Sequence, residues 1–198
     1  MRPRSLEKEE AIRNIALQII QEEGLENLSM QRLAKAANVS PRTIYLKYEN
    51  KEDLLVKLFI ETVLSAYEEA VLEGFSEVMD FAAGVKKIWT NTFHYFKNNR
   101  HAFALMQYGE SSPLLNKAFR EKNIKEGQFF APVHRFLKRH VVAGTISDLP
   151  REAHRALLFA QVFDLVNEYF ESKEKSKQVI TEKVLLACCD AAIRGLLL

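Results

Sequence analysis

Apolar residues recur at intervals of three and four along most of the chain, which is the periodicity of a buried helix face. In the segment from Leu6 to Glu23 these positions precede Gly24, a residue that commonly ends helices. The repeated positions are Ile12, Ile15, Ala16, Ile19 and Ile20. Only 7 Gly and 5 Pro interrupt the sequence, and alternating β-branched residues are scarce. The pattern predicts an all-α protein.

Residues 29–51 contain the signals for short helices separated by a tight turn. Ser29 is a good N-cap for a helix that runs through Ala37. Asn38 tolerates the left-handed backbone that ends a helix. Val39 follows as an apolar contact for the helices on either side. We therefore predict a helix that stops sharply at Asn38.

A second helix restarts at once, with Ser40 as its N-cap and Pro41 at its first position. We predict that it spans residues 41–48. Ile44 and Tyr48 are spaced for one inward face. The other faces carry donors suited to base edges and phosphates, on Arg42, Thr43, Tyr45 and Lys47. Two helices so close together must turn sharply, which predicts a helix-turn-helix whose second helix enters a DNA major groove.

Spacing alone leaves an ordinary helical hairpin with a solvated basic face as an alternative. The run from Leu28 to Leu55 resembles the DNA-binding segment of TetR/AcrR-type repressors. The matching positions are Leu33-Ala34, Ala37, Val39-Ser40, Thr43-Ile44-Tyr45, Tyr48 and Asn50-Lys51-Glu52-Asp53-Leu54. The chain departs at Asn38, where the family usually has Gly, and at Tyr48, where the usual aromatic is Phe. Both replacements suit the same geometry, so the resemblance implies a DNA-binding head.

The candidate DNA-binding residues follow from the exposed faces and from the resemblance. They are Ser29, Gln31, Ser40, Pro41, Arg42, Thr43, Tyr45, Lys47 and Lys51. We expect Arg42 to contact a guanine, with Lys47 next. The resemblance implies a contact between Lys51 and the DNA backbone; the alternative is a solvated surface lysine. Arg2 and Arg4 form either a minor-groove arm or a disordered basic tail.

Apolar periodicity continues beyond the head. We predict a DNA-binding domain of residues 1–50 and a ligand-binding and dimerisation domain of residues 51–198. The predicted helices of the second domain span residues 51–72, 78–97, 100–108, 113–143, 150–172 and 175–198, with a loop at residues 109–112. In the TetR family the last two helices pair with their copies in a second subunit. The prediction is an all-α protein with a three-helix head and a six-helix body.

Large aromatic residues concentrate in the body, where they form either plain core or the lining of the ligand cavity that the resemblance implies. The candidate ligand-binding residues are Trp89, Phe93, Phe96, Phe103, Met106, Tyr108, Phe130, His134 and Phe163. Polar groups for a cavity are available on Thr92, His94, Gln107, Tyr108, Gln128 and His134. Basic side chains suit an anionic amphiphile such as a fatty acyl thioester, or simply a solvated face, on Arg120, Lys122, Lys125, Arg135, Lys138 and Arg139.

The net charge is +2 and the sequence pI is about 8.5, which is mild for a DNA-binding protein. Residues 1–57 hold ten Lys or Arg and nine Asp or Glu, a net of +1. Bulk charge therefore does not supply the affinity. A few placed donors, and two heads acting together, must supply it.

The 5 His residues form none of the spacings typical of zinc sites or hydrolases, so we expect neither an enzyme nor a metal or cofactor. Cys188 and Cys189 are adjacent, which suits core packing better than a disulfide framework; redox sensing is the alternative. No apolar run reaches the roughly 18 residues of a membrane span. No signal sequence is evident, and we expect a cytoplasmic protein.

These features predict a ligand-responsive transcriptional repressor. It would bind a pseudo-palindromic operator as a homodimer and be released by a small apolar or amphiphilic effector. One alternative is a DNA-binding regulator without an effector. The other is a helical enzyme or carrier whose head is a plain hairpin. The sequence leaves open the effector, the operator, the target genes and whether binding represses or activates.

Overall fold

The computed structural model describes residues 3–111, 129–172 and 178–198. The helices are α1 Pro3–Glu23, α2 Met30–Ala36, α3 Pro41–Tyr45, α4 51–72, α5 Phe81–Asn98, α6 Arg100–Ser111, α7 Ala131–Val142, α8 151–171 and α9 Glu182–Arg194. α4 and α8 contain π-helical segments at Leu58–Leu64 and Ala156–Ala160. Within the described ranges, extended pairing is limited to a bridge between Ile146 and Leu197. The predicted all-α class is confirmed.

The described residues pack as two units. The head unit contains residues 3–65 and 99–111, and the body unit contains residues 66–98, 129–172 and 178–198. The predicted boundary after residue 50 concerns function, which these packing units do not test, and it stays a prediction.

The head unit is built on the apolar face of α1. Ile12, Ala16 and Ile20 are buried there, together with Leu33 of α2. α6 packs against α1 as well, and His101 in α6 lies 3.1 Å from the side-chain oxygen of Gln21. A three-helix head of α1, α2 and α3 is thus present, as predicted.

In the body unit, α5 packs against both α8 and α9. Trp89 is fully buried at this contact, and its indole N–H donates to the carbonyl of Leu158 at 2.6 Å. On the side facing α9, Lys86 forms an ion pair with Asp190 at 2.7 Å. The periodicity of α5 therefore marks a true core helix.

Two predictions near helix ends in the head unit are wrong. Residues 3–5, predicted as tail, belong to α1, because Pro3 is favoured at a first helical position. Residues 109–111, predicted as loop, continue α6. An isolated glycine such as Gly109 costs a helix only about 1 kcal/mol and does not have to end it. Residue 112 lies outside the described ranges.

The second helix of the helix-turn-helix is shorter than predicted. α3 ends at Tyr45 rather than at residue 48. Hydrogen bonds from Lys47 N and Tyr48 N to the carbonyl of Ile44 continue it as a turn. The buried position of Tyr48 is kept.

The body helices also begin later than predicted. Phe130 has φ 57° and α7 starts at Ala131, so the predicted helix from Pro113 does not run through Phe129 and Phe130. α9 starts at Glu182, not at residue 175, because the Thr181 hydroxyl accepts from Val184 N and caps it there. Within the described residues, no helix is long and apolar enough to cross a membrane.

Candidate nucleic-acid interface

The starts of α2 and α3 are fixed by serine caps. The Ser29 hydroxyl accepts from Arg32 N at 3.2 Å, and the Ser40 hydroxyl accepts from Thr43 N at 3.2 Å. Pro41 occupies the first turn of α3, where a missing N–H costs no hydrogen bond. Both predicted caps are confirmed.

The turn between these helices centres on Asn38. Its φ is 51°, in the left-handed region, as predicted. The Val39 N–H donates to the Ala34 carbonyl at 3.0 Å, and the Asn38 N–H donates to the Lys35 carbonyl at 3.2 Å. This pair of bonds is a Schellman motif, which gives partners to the last free carbonyls of α2. Asn38 thus adopts the left-handed backbone that Gly usually adopts at this position.

α3 presents its polar side outward. Ile44 and Tyr48 are buried, as predicted. The exposed candidates are Ser29, Gln31, Ser40, Pro41, Arg42 and Tyr45, and Tyr45 is 51% exposed. Hydrogen-bond donors therefore project from the same short helix that the caps hold in place.

Besides the two capping serines, Thr43, Lys47 and Lys51 have side-chain partners within the head. The Thr43 hydroxyl lies 3.0 Å from that of Ser40. Lys47 forms an ion pair with Glu9 of α1. The Lys51 ammonium group donates to the carbonyl of Leu25 at 2.8 Å. These side chains brace the helix-turn-helix, and the roles predicted for them on DNA stay predictions.

Two residues of this region were missed from the sequence. Leu46 is 76% exposed at the end of α3, where an apolar side chain can meet a thymine methyl group. Its position outside the buried Ile44 and Tyr48 stripe was a signal for this exposure. Lys57, on α4, donates to the backbone carbonyl of Lys47 at 2.8 Å. No spacing in the sequence predicts this hydrogen bond between Lys57 and the Lys47 carbonyl.

The body candidates fall into several groups. Phe96, Phe130 and Phe163 surround the ring of Tyr67, with centroids 4.7, 5.2 and 6.1 Å from it. The Tyr67 hydroxyl lies 3.3 Å from that of the fully buried Thr92. Tyr67 was not predicted, although it continues the buried stripe of Val63 on α4.

Two other body candidates have contacts with further residues of the body unit. Trp89 contacts Leu158, while the Phe93 ring contacts Tyr169. Phe103, Met106 and Tyr108 belong to the head unit. Within the body unit, the structure brings Phe96, Phe130 and Phe163 together around Tyr67. Ligand binding by these residues stays a prediction.

His134 lines a surface cavity of about 200 Å³ with Lys138, Arg151 and His154. Burial, together with the nearby Arg151 charge, lowers the pKa of His134. Arg135 pairs with Glu77 at 2.6 Å, and His94 is exposed. Other candidates lie outside the described ranges, namely Gln128, Arg120, Lys122 and Lys125.

The cysteine pair suits core packing. Cys189 is fully buried, and burial raises the pKa of its thiol to about 12, so it stays protonated at neutral pH. Cys188 is half-buried and free. Among the described residues, no group of three or more His, Cys, Asp or Glu is arranged to hold a metal ion.

Comparisons with known proteins agree with this geometry. Residues 12–58 match the family model described as "Bacterial regulatory proteins, tetR family". Residues 83–193 match "Tetracyclin repressor-like, C-terminal domain". An uncharacterized HTH-type transcriptional regulator of Haemophilus influenzae is 30% identical over 149 residues, which cover 75% of this chain and 78% of that protein.

Solved structures share the whole fold. A TetR family transcription regulator from Marinobacter aquaeolei VT8 has a TM-score of 0.81 at 22% identity, with 100% of this chain and 99% of that chain covered. The fatty acid degradation regulator from Bacillus halodurans has a TM-score of 0.67 at 21% identity, with 94% and 93% covered.

Proposed function

Because this chain belongs to the TetR family of bacterial transcriptional regulators, we propose that it is a homodimeric, ligand-responsive repressor of a pseudo-palindromic operator. A small apolar or amphiphilic effector, bound in the body, would release the DNA. Because its target is DNA, we place its action in the cytoplasm.

One observation carries the DNA-binding part of this proposal: α3 is held by the Ser40 cap and the Asn38 turn, with its polar side open to a groove. Arg42 lies on this side and is the donor that we assign to a guanine. Thr43, Tyr45 and Lys51, with Ser29 and Gln31, would hold the phosphate backbone. Lys47 would have to leave Glu9 to reach a base, so we place it after Arg42.

Enrichment of random DNA duplexes by the full chain tests the operator. We expect a pseudo-palindrome whose half-sites lie about one helical turn, roughly 34–36 Å, or a little more apart. Because Arg42 is an α3 donor, Arg42→Ala should relax the preference at one base of each half-site. An enriched sequence without symmetry would contradict two heads reading together.

The dimer is supported by an apolar face on α9. Val184, Ala187 and Ala191 are exposed there at intervals of three and four, and Val184 is 37% exposed. On neighbouring α8, Ala156 is exposed and Leu157 is 44% exposed. Small and apolar residues on two adjacent helices suit packing against a second copy of the same pair.

Light scattering coupled to size exclusion tests this interface. Ala191→Glu places a charge in the middle of the proposed contact and should shift the dimer toward monomer. Val78→Glu is the matched control, because Val78 is 79% exposed and lies in the turn before α5, not on α8 or α9. A wild-type monomer, or a dimer that Ala191→Glu leaves intact, would contradict the proposed interface.

The effector part rests on the Tyr67 cluster, where an aromatic shell encloses the Tyr67 and Thr92 hydroxyl groups. Such a mixture of apolar wall and few polar groups is typical of small-molecule sites. The shell is packed, so a ligand would have to displace Phe130 or Phe163. The similarity in fold to a fatty acid degradation regulator makes acyl chains the first probes to use.

Operator affinity measured with palmitate, palmitoyl-coenzyme A and coenzyme A alone tests this part. We expect an acyl-bearing probe to weaken operator binding, because it would bind one conformation of the dimer better than the DNA-bound one. Coenzyme A alone controls for the headgroup. If every probe that binds the protein leaves the operator affinity unchanged, the chain is better described as a regulator without an effector of this class.

A further inference from the structure

The backbone that follows α3 is tied to α4 by the side chain of Lys57. Its ammonium group donates to the carbonyl of Lys47 at 2.8 Å and to the carboxylate of Asp53 at 2.7 Å. The same ammonium group lies 5.3 Å from the centre of the Tyr48 ring. One side chain thus contacts Lys47 and Tyr48, in the segment between α3 and α4, and Asp53 in the first turn of α4.

Asp53 extends this connection to the start of α4. The Asp53 carboxylate accepts from the backbone N–H of Glu49 at 3.1 Å, while its own N–H donates to the Asn50 side chain at 2.9 Å. This is close to a capping box, in which a helix start and the chain before it satisfy each other. Lys57 and Asp53 together bind the Lys47 carbonyl, the Glu49 N–H and the Asn50 side chain.

This bracing matters because α3 is short. It contains five residues, Pro41–Tyr45, and its last backbone hydrogen bonds run from Lys47 N and Tyr48 N to the Ile44 carbonyl. Just beyond them, the Lys47 carbonyl accepts from the side chain of Lys57. The C-terminal end of the recognition segment is therefore held by a charged side chain from another helix.

We propose that Lys57 is a positioning residue for DNA reading: its ammonium group fixes the backbone after α3 and so sets the direction in which Arg42 and Tyr45 meet the operator. The inference rests on the proposed function of α3. It assigns to Lys57 no contact with DNA, since its ammonium group is engaged inside the head and its side chain is only 28% exposed.

The test compares full-length variants on the operator enriched by the wild-type chain, across a salt series. Lys57→Met should weaken binding about tenfold, the loss expected from one charge-assisted hydrogen bond. The slope of log affinity against log salt should stay unchanged, because no phosphate contact is lost. It should also reduce discrimination against operators altered at the base that Arg42 reads.

Two further variants separate positioning from general stability. Asp53→Asn should weaken binding in the same direction, and the double variant should lose less than the two single losses combined. Lys57→Arg, which keeps a charged donor, should bind within about threefold of wild type. Lys138→Met, at an exposed lysine of α7, controls for the lost charge. Thermal unfolding of each variant shows how much of the change is structural.

Wild-type affinity in Lys57→Met would overturn the proposal, and so would a salt slope reduced by about 1, which marks a phosphate contact. If Lys57→Met does not fold, Asp53→Asn decides, and unchanged affinity and discrimination in that variant overturn the inference. Failure of the wild-type chain to enrich any duplex would instead refute the proposed function. Loss of binding in Arg42→Ala alongside normal binding in Lys57→Met would refute only the positioning role.

Discussion

The helix starts and the turn of the helix-turn-helix are fixed by local hydrogen bonds, whereas the core of the body unit is held by contacts between distant residues. Each serine cap in the head joins residues three positions apart. In the body, Trp89 reaches a carbonyl 69 positions away and Glu68 reaches Phe130 across 62 positions. The serine caps therefore place few demands on the exposed side chains of the head, whereas the fold of the body depends on its buried side chains.

The largest effect should come from the body core. Trp89→Ala removes a fully buried ring and leaves the Leu158 carbonyl without its donor, so it should lower the free energy of unfolding by about 3–5 kcal/mol. Urea denaturation followed by circular dichroism measures it. Val78→Ala, at an exposed body position, should change stability by less than about 0.5 kcal/mol. Equal losses in the two variants would erase the contrast between core and surface.

The next effect belongs to the head and should appear in binding alone. Arg42→Ala should cost about 1–3 kcal/mol of operator affinity, because one base contact is lost. Its stability should stay within about 0.5 kcal/mol of wild type, since Arg42 is exposed. Fluorescence anisotropy with a labelled operator measures the affinity. The exposed Lys138 of α7, changed to Ala, is the matched control, and an equal loss there would point to bulk charge instead of a base contact.

A smaller effect should come from the turn at Asn38. Asn38→Ala puts a less tolerant residue at φ 51° and should cost about 1 kcal/mol of stability. Asn38→Gly should be neutral or slightly stabilising, because glycine adopts this backbone freely. Thermal unfolding of both variants measures the difference. A stable Asn38→Ala variant would mean that the Schellman bonds are not needed to hold the turn.

The smallest effect should appear on acidification. Burial lowers the pKa of His140, as it does that of His134 in the body and His101 in the head. The unfolded chain then binds more protons than the folded chain as the pH falls below about 6.5, so stability should decline from about pH 7.5 to pH 5.5. Denaturation at several pH values measures the decline.

His140→Asn removes one of these groups and should flatten the pH dependence. His94→Asn is the matched control, since His94 is exposed. A steeper decline in His140→Asn than in wild type would reverse the assigned sign.

The local and distant contacts also explain how much the sequence revealed. Ser29, Asn38 and Ser40 were identifiable because each acts on a backbone group within four residues. The end of α6 and the starts of α7 and α9 were misplaced. At Phe130, the left-handed backbone accompanies a bond from its N–H to the Glu68 carboxylate at 2.6 Å, a partner that no local pattern specifies.

The candidate sites divide in the same way. The outward side of α3 followed from the buried spacing of Ile44 and Tyr48. The partners of Lys47 and Lys57 did not, because Glu9 lies on another helix and the Lys47 carbonyl is a backbone group. In the body, aromatic content predicted a cluster but not its centre, Tyr67, whose role depends on four packed segments.

Trp89 allows unfolding of the body unit to be followed separately from unfolding of the head unit. It is the single Trp of the chain, and its buried indole is hydrogen-bonded within the body unit. Intrinsic fluorescence excited at the indole therefore monitors the solvation of the body, while far-ultraviolet circular dichroism monitors helices in both units. A loss of ellipticity that precedes the shift in Trp89 emission would be unfolding of the head unit while the body unit is still folded. Native protein needs no added label for this distinction.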